Sequence, residues 1–258
     1  MPSCPLLGSQ KGMWLQEQLH PTGPAQLVAT CITLRGPLDK AALQVAIDKL
    51  VARHENLRVR FIVGSDGPVQ QLPAVFDATV REIDLRLSGQ AFADALHEEQ
   101  QAPMDLQAGP LFRATLLVLA PHEHALLFTI HHLIVDHGST NLLLRDFGAL
   151  YQAAVTHEPD PLAPLTLTYS SHARAAAQAG VDDAAKAYWA REMAALPAPL
   201  MFATGQRIVP TGRRSAGTVV RTLDVTSASG LRRLGGDAGM TPFMVHLALC
   251  AVLMQRHT

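Results

Sequence analysis

Two apolar, β-branched segments, residues 111–119 and 125–131, constrain this chain more than anything else in it, because only Pro121-His122-Glu123-His124 and its immediate neighbours lie between them. A connection that short joins strands running in opposite directions, so the pair predicts an antiparallel hairpin. The second strand ends on His131-His132. Beyond Asp136, Ser139 is placed to cap a helix whose buried face is Leu142, Leu143, Phe147, Leu150 and Tyr151, at helical spacing.

Helices and strands alternate along the rest of the chain. Residues 12–19 predict a short helix ended by His20-Pro21-Thr22-Gly23-Pro24, and residues 26–34 a strand closed by Gly36-Pro37. Asp39 is a good N-cap for a helix carrying Leu43, Ala46, Ile47, Leu50 and Val51 on one face. A strand over 59–63, a turn over 64–68 and a helix over 90–101 follow. The proline-rich stretch 157–164 (HEPDPLAP) is the best boundary, dividing the chain into 1–160 and 161–258. After it come Ala-rich helices over 171–178 and 182–195, a polar loop over 207–217, a strand over 217–223, and helices over 227–234 and 242–255. The fold class is α/β in the sense of a mixed α+β sandwich, with a mixed, largely antiparallel sheet flanked by helices.

Composition excludes several functions. Nearly half of the 258 residues are hydrophobic and 17% are charged, enough apolar surface for a core and too little charge for disorder. A formal net charge of -1 offers no basic groove, so neither nucleic acid nor an anionic membrane is expected as partner. Cys4, Cys31 and Cys250 are few and widely spaced, which argues against a disulfide framework or zinc ribbon and fits a reducing, cytoplasmic setting. No apolar run reaches the ~20 residues that cross a bilayer.

Chemistry concentrates at His131-His132-Leu133-Ile134-Val135-Asp136. A histidine pair where a strand gives way to a loop is aimed by a rigid element, as a catalytic group requires. Successive strand residues point to opposite faces, so one histidine faces a cleft while the other is packed. Spacing by itself is equally compatible with two core histidines and a turn aspartate.

The segment resembles the HHxxxDG signature of condensation domains of nonribosomal peptide synthetases, members of the chloramphenicol acetyltransferase-like superfamily. Four further segments match in the family's order. Ser9-Gln10-Lys11-Gly12-Met13-Trp14-Leu15 is similar to the first motif, and Arg53-His54-Glu55-Asn56-Leu57-Arg58-Val59-Arg60-Phe61 to RHExLRTxF. Pro103-Met104-Asp105-Leu106 with Gly109-Pro110-Leu111-Phe112-Arg113 resembles PFDLxxGPLxR. Tyr169-Ser170-Ser171-His172-Ala173 and Tyr188-Trp189 resemble the YxDYAxWQ region and its following YW.

The resemblance implies two similar lobes with a tunnel between them, 1–160 forming the first and 161–258 the crossover helices and the start of the second. It implies an acyltransferase that joins an acyl thioester to an amine or hydroxyl acceptor. Both substrates are carried on phosphopantetheine arms of donor and acceptor carrier proteins in adjacent synthetase modules, with no bound cofactor. His132 is implied at the reaction centre with His131 beside it. Asp136 is implied as structural, paired with Arg58 or, second, Arg53; a buried pair of that kind costs about 3–5 kcal/mol when one partner is removed. His137, Gly138 and Ser139 are candidates to line the tunnel.

The sequence departs from the pattern in places. His137 occupies the motif's glycine position, which costs about 1–3 kcal/mol if positive φ is required there, and Met104 replaces a phenylalanine. The family's later motifs would lie beyond Thr258, so activity is expected of the complete domain. A metal site built from His122, His124, His131, His132, Asp136 and His137 lacks the tight spacing that zinc wants. A carrier-protein or partner recruitment domain of the same fold, or an epimerisation-type relative, is the alternative reading.

Overall fold

The computed structural model describes residues 3–19, 26–65, 67–74, 76–196 and 219–257. In chain order these form β1 (Ser3–Pro5), α1 (Gly8–Leu19), β2 (Leu27–Arg35), α2 (Lys40–Arg53), a 3₁₀ turn (Glu55–Arg58), β3 (Arg60–Gly64) and β4 (Gly67–Gln71). Next come β5 (Arg81–Asp84), α3 (Leu85–Ser88), α4 (Phe92–Gln101), β6 (Phe112–Ala120), β7 (Glu123–His131), α5 (His137–Thr156) and α6 (Tyr169–Ala179). The chain continues through α7 (Asp183–Glu192), α8 (Val225–Asp237) and α9 (Pro242–His257). It divides into two compact units, Met1–Gly180 and Val181–Thr258.

The first unit is built on a four-stranded sheet of order β2-β7-β6-β5. The expected hairpin is its centre: β6 and β7 pair antiparallel, with Leu116 opposite Leu126 and Phe112 opposite Ile130. β2 adds antiparallel to β7, and β5 adds parallel to β6. A second sheet of order β1-β4-β3 is antiparallel throughout. Gly67, at φ 117°, supplies the positive φ that turns β3 into β4.

Alternation along β7 decides what packs where. Leu126, Phe128 and Ile130 point into the main core, where they meet Ala46, Ile47 and Leu50 of α2 and Leu143, Phe147 and Leu150 of α5. Phe128 makes edge-on contacts with Phe112 at 5.4 Å and Phe147 at 5.3 Å between ring centroids, which locks sheet to helix. Ala125, on the opposite face, packs with Leu85, Ala95 and Leu117 in a smaller core.

The helices begin where side chains satisfy their first N–H groups. Asp39 Oδ1 accepts from Ala42 N at 2.9 Å, as expected. α5 starts differently: Asp136 is its N-cap, and Ser139, expected to cap, is instead the donor at 2.7 Å. α5 buries Leu143, Phe147 and Leu150, with Tyr151 packed against the core and Leu142 exposed.

Several elements differ from the sequence reading. β1, β4 and β5 were not expected, and α1 begins at Gly8. Residues 219–223 form no strand; the remainder of that expected strand and the 207–217 loop lie outside the described residues. The unit boundary falls after α6 rather than at the proline-rich connector. α6 packs on β1 and on the 3₁₀ turn, so its contacts assign it to the first unit. The second unit is helical in its described part, with Val245 of α9 buried against Gly235 of α8. Among the described residues no single helix is long and apolar enough to cross a membrane.

Candidate active site

β7 is buried along nearly its whole length and flanked by paired strands on both sides, so its C-terminal end is a rigid platform. There the two histidines part. His131, the last strand residue, is 2% exposed, whereas His132, first in the turn, is exposed. His132 is held by its backbone, its N–H donating to Gln26 O at 2.7 Å. Its imidazole makes no hydrogen bond with any described residue.

His131 works inward. Its Nδ1 accepts from Leu133 N at 3.2 Å, and its Nε2 lies 3.7 Å from Glu17 Oε1, too far for a hydrogen bond. Burial, helped by the neighbouring His132, lowers its pKa to about 4, so the ring is neutral near pH 7.

The turn after the histidines is fastened carbonyl by carbonyl. Gln10 Nε2 on α1 donates to Leu133 O at 2.8 Å and to Gln70 Oε1 at 3.1 Å, all buried. Asn56 Nδ2 donates to Ile134 O at 3.1 Å. Leu133, Ile134 and Val135 fill the core below. The first motif and the RHExLR-like segment thus converge on this one loop. Neither Gln10 nor Asn56 stands out in the sequence, because their partners lie 123 and 78 residues away along the chain.

Asp136 does not form the ion pair expected with Arg58 or Arg53. It is exposed, and its Oδ1 accepts from Ser139 N at 2.7 Å and Ser139 Oγ at 2.6 Å. The Ser139 hydroxyl, then its N–H, hold the Asp136 carboxyl below the usual carboxylate range. The physical reason is local. A helix N-terminus already presents donors and positive potential to a carboxylate at the N-cap, and no arginine is needed.

Arg53 pairs with Asp146 on α5 instead, Nε to Oδ2 at 3.1 Å. His54 Nε2 reaches the same oxygen at 3.0 Å, and Arg145 reaches Oδ1 at 2.9 Å. Burial pushes the Asp146 carboxyl up, but these three donors together hold it below its ordinary value. Glu55 completes the clip by accepting from Ser170 N, at the start of α6, at 2.5 Å. Arg58 lines a cavity of about 590 Å³ with Ser170 and Arg174, and its buried Nε makes no hydrogen bond.

His137 and Gly138, expected to line a tunnel, are exposed in the first turn of α5. Among the described non-glycine residues only His157 has positive φ, so His137 carries none of the strain its position in the motif raised. A Cβ at Gly138 would meet Asp136 Oδ1 at 3.6 Å, an ordinary contact. Ser139 borders a cavity of about 280 Å³ with His54, Ile134, Leu142, Tyr169 and His172. His132 lines neither cavity. No three histidine, cysteine or acidic side chains converge as a metal site among the described residues.

Comparison with known proteins bears on the whole chain. The Condensation domain family matches residues 3–258. Malpibaldin synthetase of Mortierella alpina is 31% identical over 255 residues, 96% of this chain and 5% of its own length. Phosphinothricin tripeptide synthetase PhsC of Streptomyces viridochromogenes is 32% identical over 262 residues, 98% of this chain and 24% of its own. The chain thus spans a small part of these relatives. The X-domain from teicoplanin biosynthesis superposes with a TM-score of 0.82 at 25% identity, covering 100% of this chain and 58% of its own. The first condensation domain of the calcium-dependent antibiotic synthetase, in complex with a substrate analogue, superposes at 0.78 and 24% identity, covering 99% and 60%. The sandwich of mixed sheet and helices expected from the sequence is the fold of these structures, and the chain belongs to the condensation domain family.

Proposed function

We propose that this chain carries the reaction centre of an amide-forming condensation domain of a nonribosomal peptide synthetase, with His132 acting on the reacting atoms. One observation carries the reading: an exposed imidazole with no hydrogen bond to a described residue stands at the end of the most deeply buried strand, on a loop held by Gln10, Asn56 and His131. Preorganisation of that kind is what a catalytic base needs.

The substrates are a donor acyl thioester and an acceptor amine, each on the phosphopantetheine arm of a carrier protein. The amine nitrogen attacks the thioester carbonyl, a C–N bond forms, the C–S bond breaks, and the thiol leaves with the proton that the amine gives up. His132 takes that proton and returns it to sulfur, and in its protonated form steadies the oxyanion of the tetrahedral intermediate. General acid–base work of this sort contributes roughly 10²–10⁴-fold. A hydroxyl acceptor would give an ester by the same steps.

His132→Ala in the full protein is expected to lower condensation turnover by about 10²–10⁴-fold with an unchanged melting temperature. Turnover near that of the wild type removes His132 from the centre. A second reading, a carrier-protein recruitment domain of the same fold, draws on His137 in the glycine position and on Asp136 capping α5. Carrier-protein binding without turnover by the wild type would favour it, and epimerised carrier-bound residues would favour the epimerisation-type reading.

A further inference from the structure

Glu17, half-buried on α1, lies beside the ring of His131 in a place that neither the reaction nor the fold explains. Its side chain is 19% exposed, and its Oε1 is buried without a hydrogen bond, 3.7 Å from His131 Nε2. The backbone N–H of Gln26 faces the same carboxylate. The carbonyl of Gln26 is what holds the His132 N–H, at 2.7 Å. One carboxylate therefore adjoins the ring of His131 and the residue that anchors the backbone of His132.

The tautomer of His131 follows from its other nitrogen. Leu133 N donates to Nδ1, so Nδ1 is bare and the single proton of the neutral ring lies on Nε2. Glu17 Oε1 lies 3.7 Å from that nitrogen, beyond hydrogen-bond length but close enough for its charge to favour a proton there. A ring with the proton on Nδ1 would lose the Leu133 bond and confront that N–H with another donor. Leu133 is also the residue whose carbonyl Gln10 holds, so the tautomer bears directly on the loop that presents His132. Burial raises the carboxyl pKa of Glu17, the Gln26 N–H offsetting this in part, as befits a group whose neighbours are neutral donors.

We propose that Glu17 is the positioning residue of the histidine pair: its carboxylate, between His131 Nε2 and the Gln26 backbone, fixes the tautomer of His131 and through it the loop that presents His132. The inference rests on His132 being the reaction-centre group.

The test replaces Glu17 in the full protein with leucine and, separately, with glutamine, whose amide oxygen still accepts. Nitrogen-15 NMR of labelled histidine follows the His131 ring, assigned by the loss of its signals in His131→Gln. The wild type is expected to show only the Nε2–H form. Glu17→Leu should populate the Nδ1–H form and lower kcat by about tenfold to a hundredfold, as misplacement of a reacting group does, with KM nearly unchanged. Glu17→Gln should keep the tautomer and most of kcat. A wild-type tautomer in Glu17→Leu overturns the proposal, whatever happens to the melting temperature. The ring measurement does not need turnover, so a wild type that fails to condense, with the tautomer still shifted in Glu17→Leu, sinks the function and leaves the hold of Glu17 on His131 standing.

Discussion

Asp136 and His131, five residues apart, answer a change of pH in different ways. As an N-cap, Asp136 stabilises α5 through Ser139, and losing such a cap costs about 0.5–2 kcal/mol. Asp136→Ala is expected to cost about 1 kcal/mol in urea denaturation, and Asp136→Asn less. A loss of 3–5 kcal/mol would reveal an ion pair instead. Its pKa is depressed on folding, so its contribution is present above the unfolded carboxylate value and fades as pH falls through the folded one. His131 has a folded pKa of about 4 against an ordinary 6.5, so between those values the unfolded chain binds the proton and the folded protein does not. Stability is therefore full above pH 6.5 and falls toward pH 4, by roughly 3 kcal/mol for this group. His54, whose pKa burial also lowers, adds to the slope with the same sign. His131→Gln should flatten the dependence of stability on pH in this window; an unaltered slope would place the proton elsewhere. That the two histidines would differ was suggested by the two-residue period of a strand, but which of them is packed was given only by the resemblance, and His132 in fact lies in the turn just past β7. That Asp136 would turn to Ser139 was not legible, because a carboxylate chooses between a helix end and an arginine only once both are in place.

The six-residue run from Arg53 to Arg58 acts as a clip between elements, joining the end of α2 to α5 through Asp146, to α6 through Ser170, and to the histidine loop through Ile134. Asp146→Ala leaves Arg53 partly buried without its counter-charge and His54 without its acceptor, and is expected to cost about 3–5 kcal/mol. A cost under 1 kcal/mol would mean that the cluster is solvated. Gln10→Ala orphans the buried Leu133 carbonyl, at about 1–3 kcal/mol, and should also lower turnover because the His132 loop loosens. Stability lost with turnover intact would separate the loop from the chemistry. Apart from the four-residue α3, the helices and the β6–β7 hairpin were legible because each shows its own periodicity or cap. β1, β4 and β5 were not: they run to 3, 5 and 4 residues, too short to show a period, and exist by pairing with β4, β3 and β6.

At the scale of the whole chain, the first unit ends its most enclosed strand on the histidine pair. β7 lies between two partners and is buried from His124 to His131, while β2 and β5 are edges. Native-state hydrogen exchange should find the slowest amides in β6 and β7 and faster ones in β5, because the central strands open only on global unfolding. Exchange in β7 as fast as in β5 would mean that the platform under His132 opens locally. The sequence by itself determined the central hairpin, the helices that cover it and the family, since periodicity, turn residues and ordered motifs are local properties. Only the tertiary structure decided that Arg53 pairs with Asp146, that Asp136 caps α5, that Gln10 and Asn56 hold the loop, and that Glu17 faces His131. Arg53 and Asp146 are 93 residues apart, and Gln10 and Leu133 are 123. At such separations charge and hydrogen-bonding capacity say what a side chain can satisfy, and packing alone says which partner comes within reach.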